Sequence, residues 1–288
     1  MINYDPKAWF GIIFRLHKSD TMLKLLPTIG LLGLFTAVFC YIDMEHMQLR
    51  IRSTLALHSL VGFVVSMLLV FRTNSAYDRW WEGRKAWGGI VNTTRNLAIK
   101  LRAAVTDNHT REVLRLHIVN WVRATKEHLR NGVVANDLEH APDIDMTRWL
   151  AQKHVPNAIM TNLYAHLLRL RQQGTITEQQ LLAIDAQVTT LTDLLGACER
   201  IKKSPIPYSY GAFIKKTIFI YVITLPVGLV NEFGYMTVPI TAFVFYILAS
   251  LELIAEEIED PFGRDANDLP TDVLTDTIDT NLKELLRG

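Results

Sequence analysis

The chain has 288 residues and a formal net charge of +1, with 49% hydrophobic residues, 20% charged residues and a mean hydropathy of +0.15. It is too apolar for an ordinary soluble protein and too charged for one built only of membrane helices, which predicts a small membrane part and a large soluble part. The balanced charge excludes a global field that would attract nucleic acid. Cys40 and Cys198 lie far apart, without metal or disulfide spacing.

Residues 1–21 form an amphipathic segment without the apolar core of a signal peptide. Four apolar runs then predict membrane-spanning helices, because a bilayer requires roughly 20 mostly apolar residues per helix. They lie at about residues 22–42, 55–71, 213–230 and 235–254. Two short connections join them into two helical hairpins. Lysines and arginines cluster before the first span, after the second and before the third, so both termini and the long middle are predicted to be cytoplasmic.

The middle of the chain is predicted to be helical throughout, because apolar residues recur every three or four positions. Thr177 is the predicted N-cap of its last helix. Residues 131–145 have mixed composition and are predicted to form a loop. Further on, Pro205 and Pro207 predict a break before the third span, either a bend at the membrane surface or a plain linker.

The second span carries an apolar stripe made of Phe63, Met67 and Phe71. Each step of four residues advances about 400° around a helix, so the three side chains share one face with a slow drift. Ordinary helix packing is one interpretation. If several copies surround an axis, the stripe becomes an apolar ring that blocks ions by expelling water.

A polar and aromatic junction follows this span directly. Trp80 and Trp81 are typical of an interfacial belt, but a belt does not explain the polar residues in the same two turns. These are Arg72, Asn74, Tyr77, Asp78 and Arg79. Pairing of Arg72 with Asp78, or of Asp78 with Arg79 of a neighbouring chain, would satisfy these charges near the low-dielectric boundary.

The C-terminal part contains an acidic run in which Glu252 stands inside an apolar stretch and requires polar company. Asp260, Asp265 and Asp268 surround a Pro-Phe-Gly turn and offer the oxygen ligands that hard cations prefer. The EF-hand pattern is not met. His117 and His128 lie on amphipathic helices and are interpreted as surface or packing residues. Sequence motifs of common enzyme classes are absent.

The stretches 71–82 and 259–269, together with the bend at Ile206 and Pro207, resemble the bestrophin family in its bacterial branch. The resemblance covers nearly the whole chain. It implies an all-α, four-span transmembrane protein with a large helical cytosolic domain, forming a symmetric homopentamer in the bacterial inner membrane. It implies that Phe63, Met67 and Phe71 line the neck of a central pore and that the 72–81 junction fixes neighbouring chains together. It also implies a second constriction at the cytosolic exit, matched here to Leu181.

The resemblance also bears on the ion. Within the family that the chain resembles, animal bestrophins look like calcium-activated anion channels, whereas bacterial relatives look like sodium-permeable cation channels. This chain has Arg264, Ala266 and Asn267 where animal members are acidic, and its neck lacks their proline. We therefore expect conduction of monovalent cations such as sodium, with chloride or another anion as the alternative. No cofactor is expected to be required, and Ca²⁺ or Zn²⁺ at the acidic loop is a further hypothesis.

The predicted partners are further copies of the chain, membrane lipid and permeating inorganic ions, without nucleic acid. Two other classes of function remain open: a membrane-anchored scaffold that binds a cytosolic partner, and a metal-dependent membrane enzyme using Glu256, Asp260, Asp265 and Asp268. The predicted organisation has five parts: N-terminal segment 1–21, hairpin 22–73 with the pore-lining helix, cytosolic helical domain 74–204, bend and second hairpin 205–258, and acidic loop with C-terminal segment 259–288.

Overall fold

The computed structural model describes residues 21–47, 55–140 and 146–287, among which every regular element is helical. The predicted N-terminal segment 1–21 therefore lies outside the described residues except for Thr21. The described helices are, in chain order, α1 Thr21–Ile42, α2 Leu55–Ala104, α3 Asn108–His128, α4 Met146–Leu150, α5 Val155–Gln172, α6 Glu178–Lys203, α7 Tyr208–Phe233, α8 Thr237–Glu259 and α9 Thr271–Arg287. Shorter helical segments lie at Asp43–Met47, Ala135–Asp137 and Gly234–Met236.

The helices assemble into two compact units. The first contains α1, α7, α8 and α2 as far as Trp80, together with residues 265–267. The second contains the rest of α2, α3 to α6, residues 261–264 and α9. Each unit has buried apolar side chains of its own.

Three stretches of the described residues that are long and apolar enough to cross a membrane coincide with the predicted hairpins: Thr21–His46, Ala56–Ala104 and Tyr208–Glu259. The last of these contains both α7 and α8. Helix α6 also meets the criteria of length and composition, but it is amphipathic: a capping box at Thr177 opens it, and buried apolar side chains recur along one side. We therefore assign α6 to the helical domain.

The core of the first unit joins α2, α7 and α8. Its buried members are Val65, Leu69, Ile214, Ile218, Val222 and Leu248. A β-carbon added at Gly62 would lie 2.7 Å from the hydroxyl oxygen of Tyr221, so this glycine permits the close approach of α2 and α7. Helices α1 and α8 also pack along much of their length. The contacts of Gly62, Val65 and Leu69 fix which face of α2 is turned inward.

Helix α2 continues without a break from Leu55 to Ala104, well beyond the predicted end of the second span. At 1.5 Å per residue, its 50 residues extend for about 75 Å, more than twice the thickness of a hydrocarbon core. A helix of this length carries the apolar stripe and the polar junction as one continuous surface.

Helix α3 is the central element of the second unit, where it packs against α5 and α9. The guanidinium of Arg115 is fully buried and is surrounded by three carboxylates. It lies 2.6 Å from Glu139, 2.9 Å from Glu112 and 3.2 Å from Asp279. Hydrogen bonds from Arg287 and Arg115 lower the pKa of Glu112 to about 2, so the carboxylate stays charged and the network stays paired.

Candidate functional site

The apolar stripe of α2 faces away from the core of its unit. Phe63 is 66% exposed, Met67 44% and Phe71 57%, whereas Val65 and Leu69 on the opposite side are buried. Among the described residues of the first unit, the stripe therefore stays largely uncovered. An exposed apolar face of this kind is available to lipid, to other copies of the chain, or to a pore axis.

The junction after the stripe divides into two sides of the same helix. Asn74, Tyr77 and Asp78 are exposed and continue the side that carries the stripe. Arg72 is buried on the other side. The exposed surface of α2 thus changes from apolar to polar within two turns after Phe71, while the buried side holds the helix in place.

Arg72 binds two carboxylates of α8, which corrects the expected pairing with Asp78. Its Nη2 donates to Glu259 Oε2 at 2.6 Å, and its Nε lies 3.6 Å from Glu252 Oε2. Arg72 and Glu252 are only 3% and 4% exposed. Glu252 thereby lies beside a buried positive charge, although neither of its carboxylate oxygens accepts a hydrogen bond from the described residues.

Glu259 connects the polar junction to the proline bend. Its Oε1 accepts a hydrogen bond from the backbone N–H of Ile206 at 2.7 Å, while Oε2 binds Arg72. Its backbone oxygen accepts from Arg79 Nε at 3.1 Å. Helix α6 ends at Lys203 and α7 begins at Tyr208, so the predicted break is present. The Glu259 carboxylate holds the break in position through its hydrogen bond from Ile206.

The acidic run supplies further contacts to the same junction. Trp80 Nε1 donates to the backbone oxygen of Asn267 at 3.0 Å, and Asn267 Nδ2 donates to Glu257 Oε2 at 2.7 Å. Glu257 also forms an ion pair with Lys24 of α1. The junction, the bend and the acidic run, which are distant in sequence, therefore meet in the first unit.

Helix α6 contains the predicted second constriction. Leu181 is turned inward and only 7% exposed, whereas its neighbour Leu182 is 62% exposed. Leu182 is the one large apolar side chain on the exposed side of α6, all of which is described. That side continues through Ala186, Thr189 and Asp193, which are small or polar. An apolar constriction built from α6 would therefore use Leu182.

The predicted metal ligands do not come together. Asp260 and Asp265 are exposed and Asp268 is buried, and none of them belongs to a potential metal-ligating cluster within the part of the chain that the structure describes. One cluster there does qualify, made of His128, His154 and Glu199. Its members come from three separate segments, so their spacing in the sequence carries no recognisable metal motif.

Comparison with known proteins gives a consistent result along the whole chain. The profile of the family described as Bacterial/Fungal Bestrophin protein matches residues 1–284. The voltage-dependent anion channel-forming protein alr2987 of Nostoc sp. is 35% identical over 97% of this chain and 92% of its own length. The voltage-dependent anion channel-forming protein YneE of Escherichia coli K12 is 31% identical over 99% and 94%.

Solved structures agree with these relatives. The crystal structure of a bacterial bestrophin homolog from Klebsiella pneumoniae, obtained by Zn-SAD phasing, is 29% identical with a TM-score of 0.84, covering 91% of this chain and 98% of that chain. A variant of the homolog from the same organism gives a TM-score of 0.85 at 28% identity, covering 92% and 100%.

Proposed function

The chain belongs to the bacterial and fungal bestrophin family, and from this premise we propose that it forms an ion channel with a hydrophobic neck on a central pore. The observation that carries the proposal is the exposed face of α2, where Phe63, Met67 and Phe71 stay largely uncovered among the described residues and are followed directly by an exposed polar surface. An apolar ring at the axis of an oligomer would expel water and form a barrier to ions. Both halves of the path would lie on one continuous helix.

The proposed assembly is a homopentamer in the bacterial inner membrane with both termini in the cytoplasm. The number five and the orientation come from the resemblance and from the distribution of basic residues. Native mass spectrometry of the detergent-solubilised protein tests the number directly: a mass of five chains supports the proposal, and any other predominant mass contradicts it.

We propose Leu182 in place of Leu181 as the residue of the second constriction. A constriction requires a side chain that is free to face the axis, and the exposure of the two leucines favours Leu182. The small and polar residues that follow it on α6 would leave the path wider beyond it.

Two of the relatives are named as voltage-dependent anion channel-forming proteins, so we propose anion conduction. The second candidate is conduction of monovalent cations such as sodium. One observation favours it: Asp78, seven residues after Phe71 and therefore on the same side of α2, is exposed and places a negative charge beside the proposed path. A reversal potential measured in a planar bilayer under a salt gradient decides between them. A reversal potential that shifts toward the chloride equilibrium potential supports anion conduction. A shift toward the equilibrium potential of the cation overturns it.

The neck is tested by replacing Phe63, Met67 and Phe71 together with alanine. The wider and less apolar ring should hold water more easily, so ion flux from reconstituted liposomes should rise. The matched control replaces three similarly exposed phenylalanines of α7 and α8, Phe213, Phe219 and Phe243, which are 54%, 64% and 62% exposed. Flux that is unchanged in the first variant, or equally raised in both, contradicts the neck assignment. Wild-type protein that conducts no ion favours the scaffold alternative.

A further inference from the structure

Two histidines and a glutamate from three helices share one point in the second unit. His128 is the last residue of α3, His154 is the N-cap of α5, and Glu199 lies in the last turns of α6. His128 Nε2 and His154 Nε2 both lie 2.7 Å from the same oxygen, Glu199 Oε1. The two imidazole rings are 4.4 Å apart between centroids. Three ligand atoms of metal-binding type thus converge.

The cluster is accessible to solvent. The three side chains are between 18% and 29% exposed, so they are shielded without being sealed. A cavity of about 450 Å³ opens beside His154 and is also lined by Lys153 and Asn157. An ion from solution would therefore reach the His154 side of the cluster through this cavity. Lys203 Nζ contacts the other carboxylate oxygen of Glu199 at 3.3 Å and leaves Oε1 to the histidines.

The ligand set selects a class of metal. Two imidazole nitrogens and one carboxylate oxygen, with a fourth position left to water, suit Zn²⁺, whereas Ca²⁺ and Mg²⁺ prefer oxygen ligands alone. Zinc bonds of roughly 2.0–2.1 Å in a tetrahedron separate the ligand atoms by about 3.3 Å. The two present separations of 2.7 Å between Glu199 Oε1 and the histidine nitrogens would need to widen by about 0.6 Å, which side-chain rotation can supply.

We propose that His128, His154 and Glu199 form a binding site for Zn²⁺. The site does not depend on the proposed function. Each histidine must present the lone pair of Nε2, so binding places the remaining proton of each neutral imidazole on Nδ1. His154 Nδ1 now accepts from the backbone N–H of Asn157 at 3.2 Å; the bound state gives up this helix cap and replaces it by the metal bond.

The ion would join the end of α3, the start of α5 and the last turns of α6. His128 closes α3, His154 opens α5, and Glu199 lies near the end of α6, the helix that carries Leu182. Because the converged site exists only in the folded unit, bound Zn²⁺ stabilises that fold by mass action, and the melting temperature should rise with zinc concentration.

The test uses full-length protein without an affinity tag, treated with a chelator and kept in detergent. Isothermal titration with ZnCl₂ should give one ion per chain with a dissociation constant in the micromolar range or below. The key variant is His154→Asn, because asparagine is a preferred N-cap and preserves the start of α5 while removing the imidazole. The matched control is His140→Asn, a substitution at an exposed histidine outside the cluster.

His154→Asn should weaken Zn²⁺ binding at least tenfold and remove most of the zinc-dependent rise in melting temperature, while His140→Asn behaves as wild type. Glu199→Gln should weaken binding in the same way. Cobalt provides a second readout, because tetrahedral Co²⁺ gives strong visible absorption, expected in wild type and His140→Asn only. Absence of binding by the wild type, or equal affinity in wild type and His154→Asn, overturns the site.

Discussion

Removal of the Arg72 guanidinium should destabilise the first unit more than any change at an exposed ion pair. Arg72 is the cation between Glu252 and Glu259, and all three side chains are largely shielded from water. Arg72→Met keeps the length of the side chain and removes the charge, which leaves two carboxylates uncompensated. Breaking a buried pair by removing one partner costs about 3–5 kcal/mol. That is a large fraction of the roughly 5–15 kcal/mol by which domains are stable.

The assay is denaturant unfolding of the detergent-solubilised protein, followed by tryptophan fluorescence, with the free energy of unfolding taken from the midpoint and slope. The matched control is Arg200→Met, because Arg200 pairs with Glu82 while 66% exposed. Exposed pairs contribute only about 0–1 kcal/mol.

A double variant gives an independent check on the same contact. Glu259→Gln added to Arg72→Met removes one of the two uncompensated carboxylates and retains an oxygen for the Ile206 N–H. The loss in the double variant should be smaller than the sum of the single losses, because residues in direct contact are coupled by about 0.5–3 kcal/mol. If Arg72→Met and Arg200→Met lowered the free energy of unfolding by the same amount, the reasoning would be refuted.

Two further predictions concern the second unit. Leu182→Ala should change conductance or selectivity while the free energy of unfolding stays within about 0.5 kcal/mol of wild type. Leu181→Ala should lower the free energy of unfolding by about 2–5 kcal/mol, because that side chain is buried. The opposite pattern in bilayer recordings and unfolding curves would restore Leu181 as the constriction. The pKa of Glu112 is lowered from 4.5 to about 2. The stability that its ionised carboxylate adds is therefore complete above pH 4.5 and is lost as the pH falls toward 2. The melting temperature of Glu112→Gln should therefore fall less steeply between pH 4.5 and pH 2 than that of wild type. An identical dependence of melting temperature on pH in both proteins would contradict this role of Glu112. The control is Glu178→Gln, which changes an exposed ion pair.

Much of the candidate site could be predicted from local patterns. The apolar stripe, the break at Pro205 and Pro207, and the cap at Thr177 all depend on neighbouring residues, and the structure has each of them. The motifs shared with bestrophins led to the family, which the comparisons confirm. The ion is different: the expected sodium preference came from the resemblance, while the relatives' names favour anions.

The helical class, the hairpins and the face of α2 that carries Phe63 could be predicted from the amino-acid sequence, because helical period and apolar length are local properties. The partner of Arg72 became known only from the folded chain, because Glu259 lies 187 residues away in the sequence. The tertiary structure also decided which of two adjacent leucines is exposed, and it brought together two histidines and a glutamate from three helices. These outcomes depend on how helices pack, since a rotation of about 100° per residue turns neighbouring side chains to different surroundings.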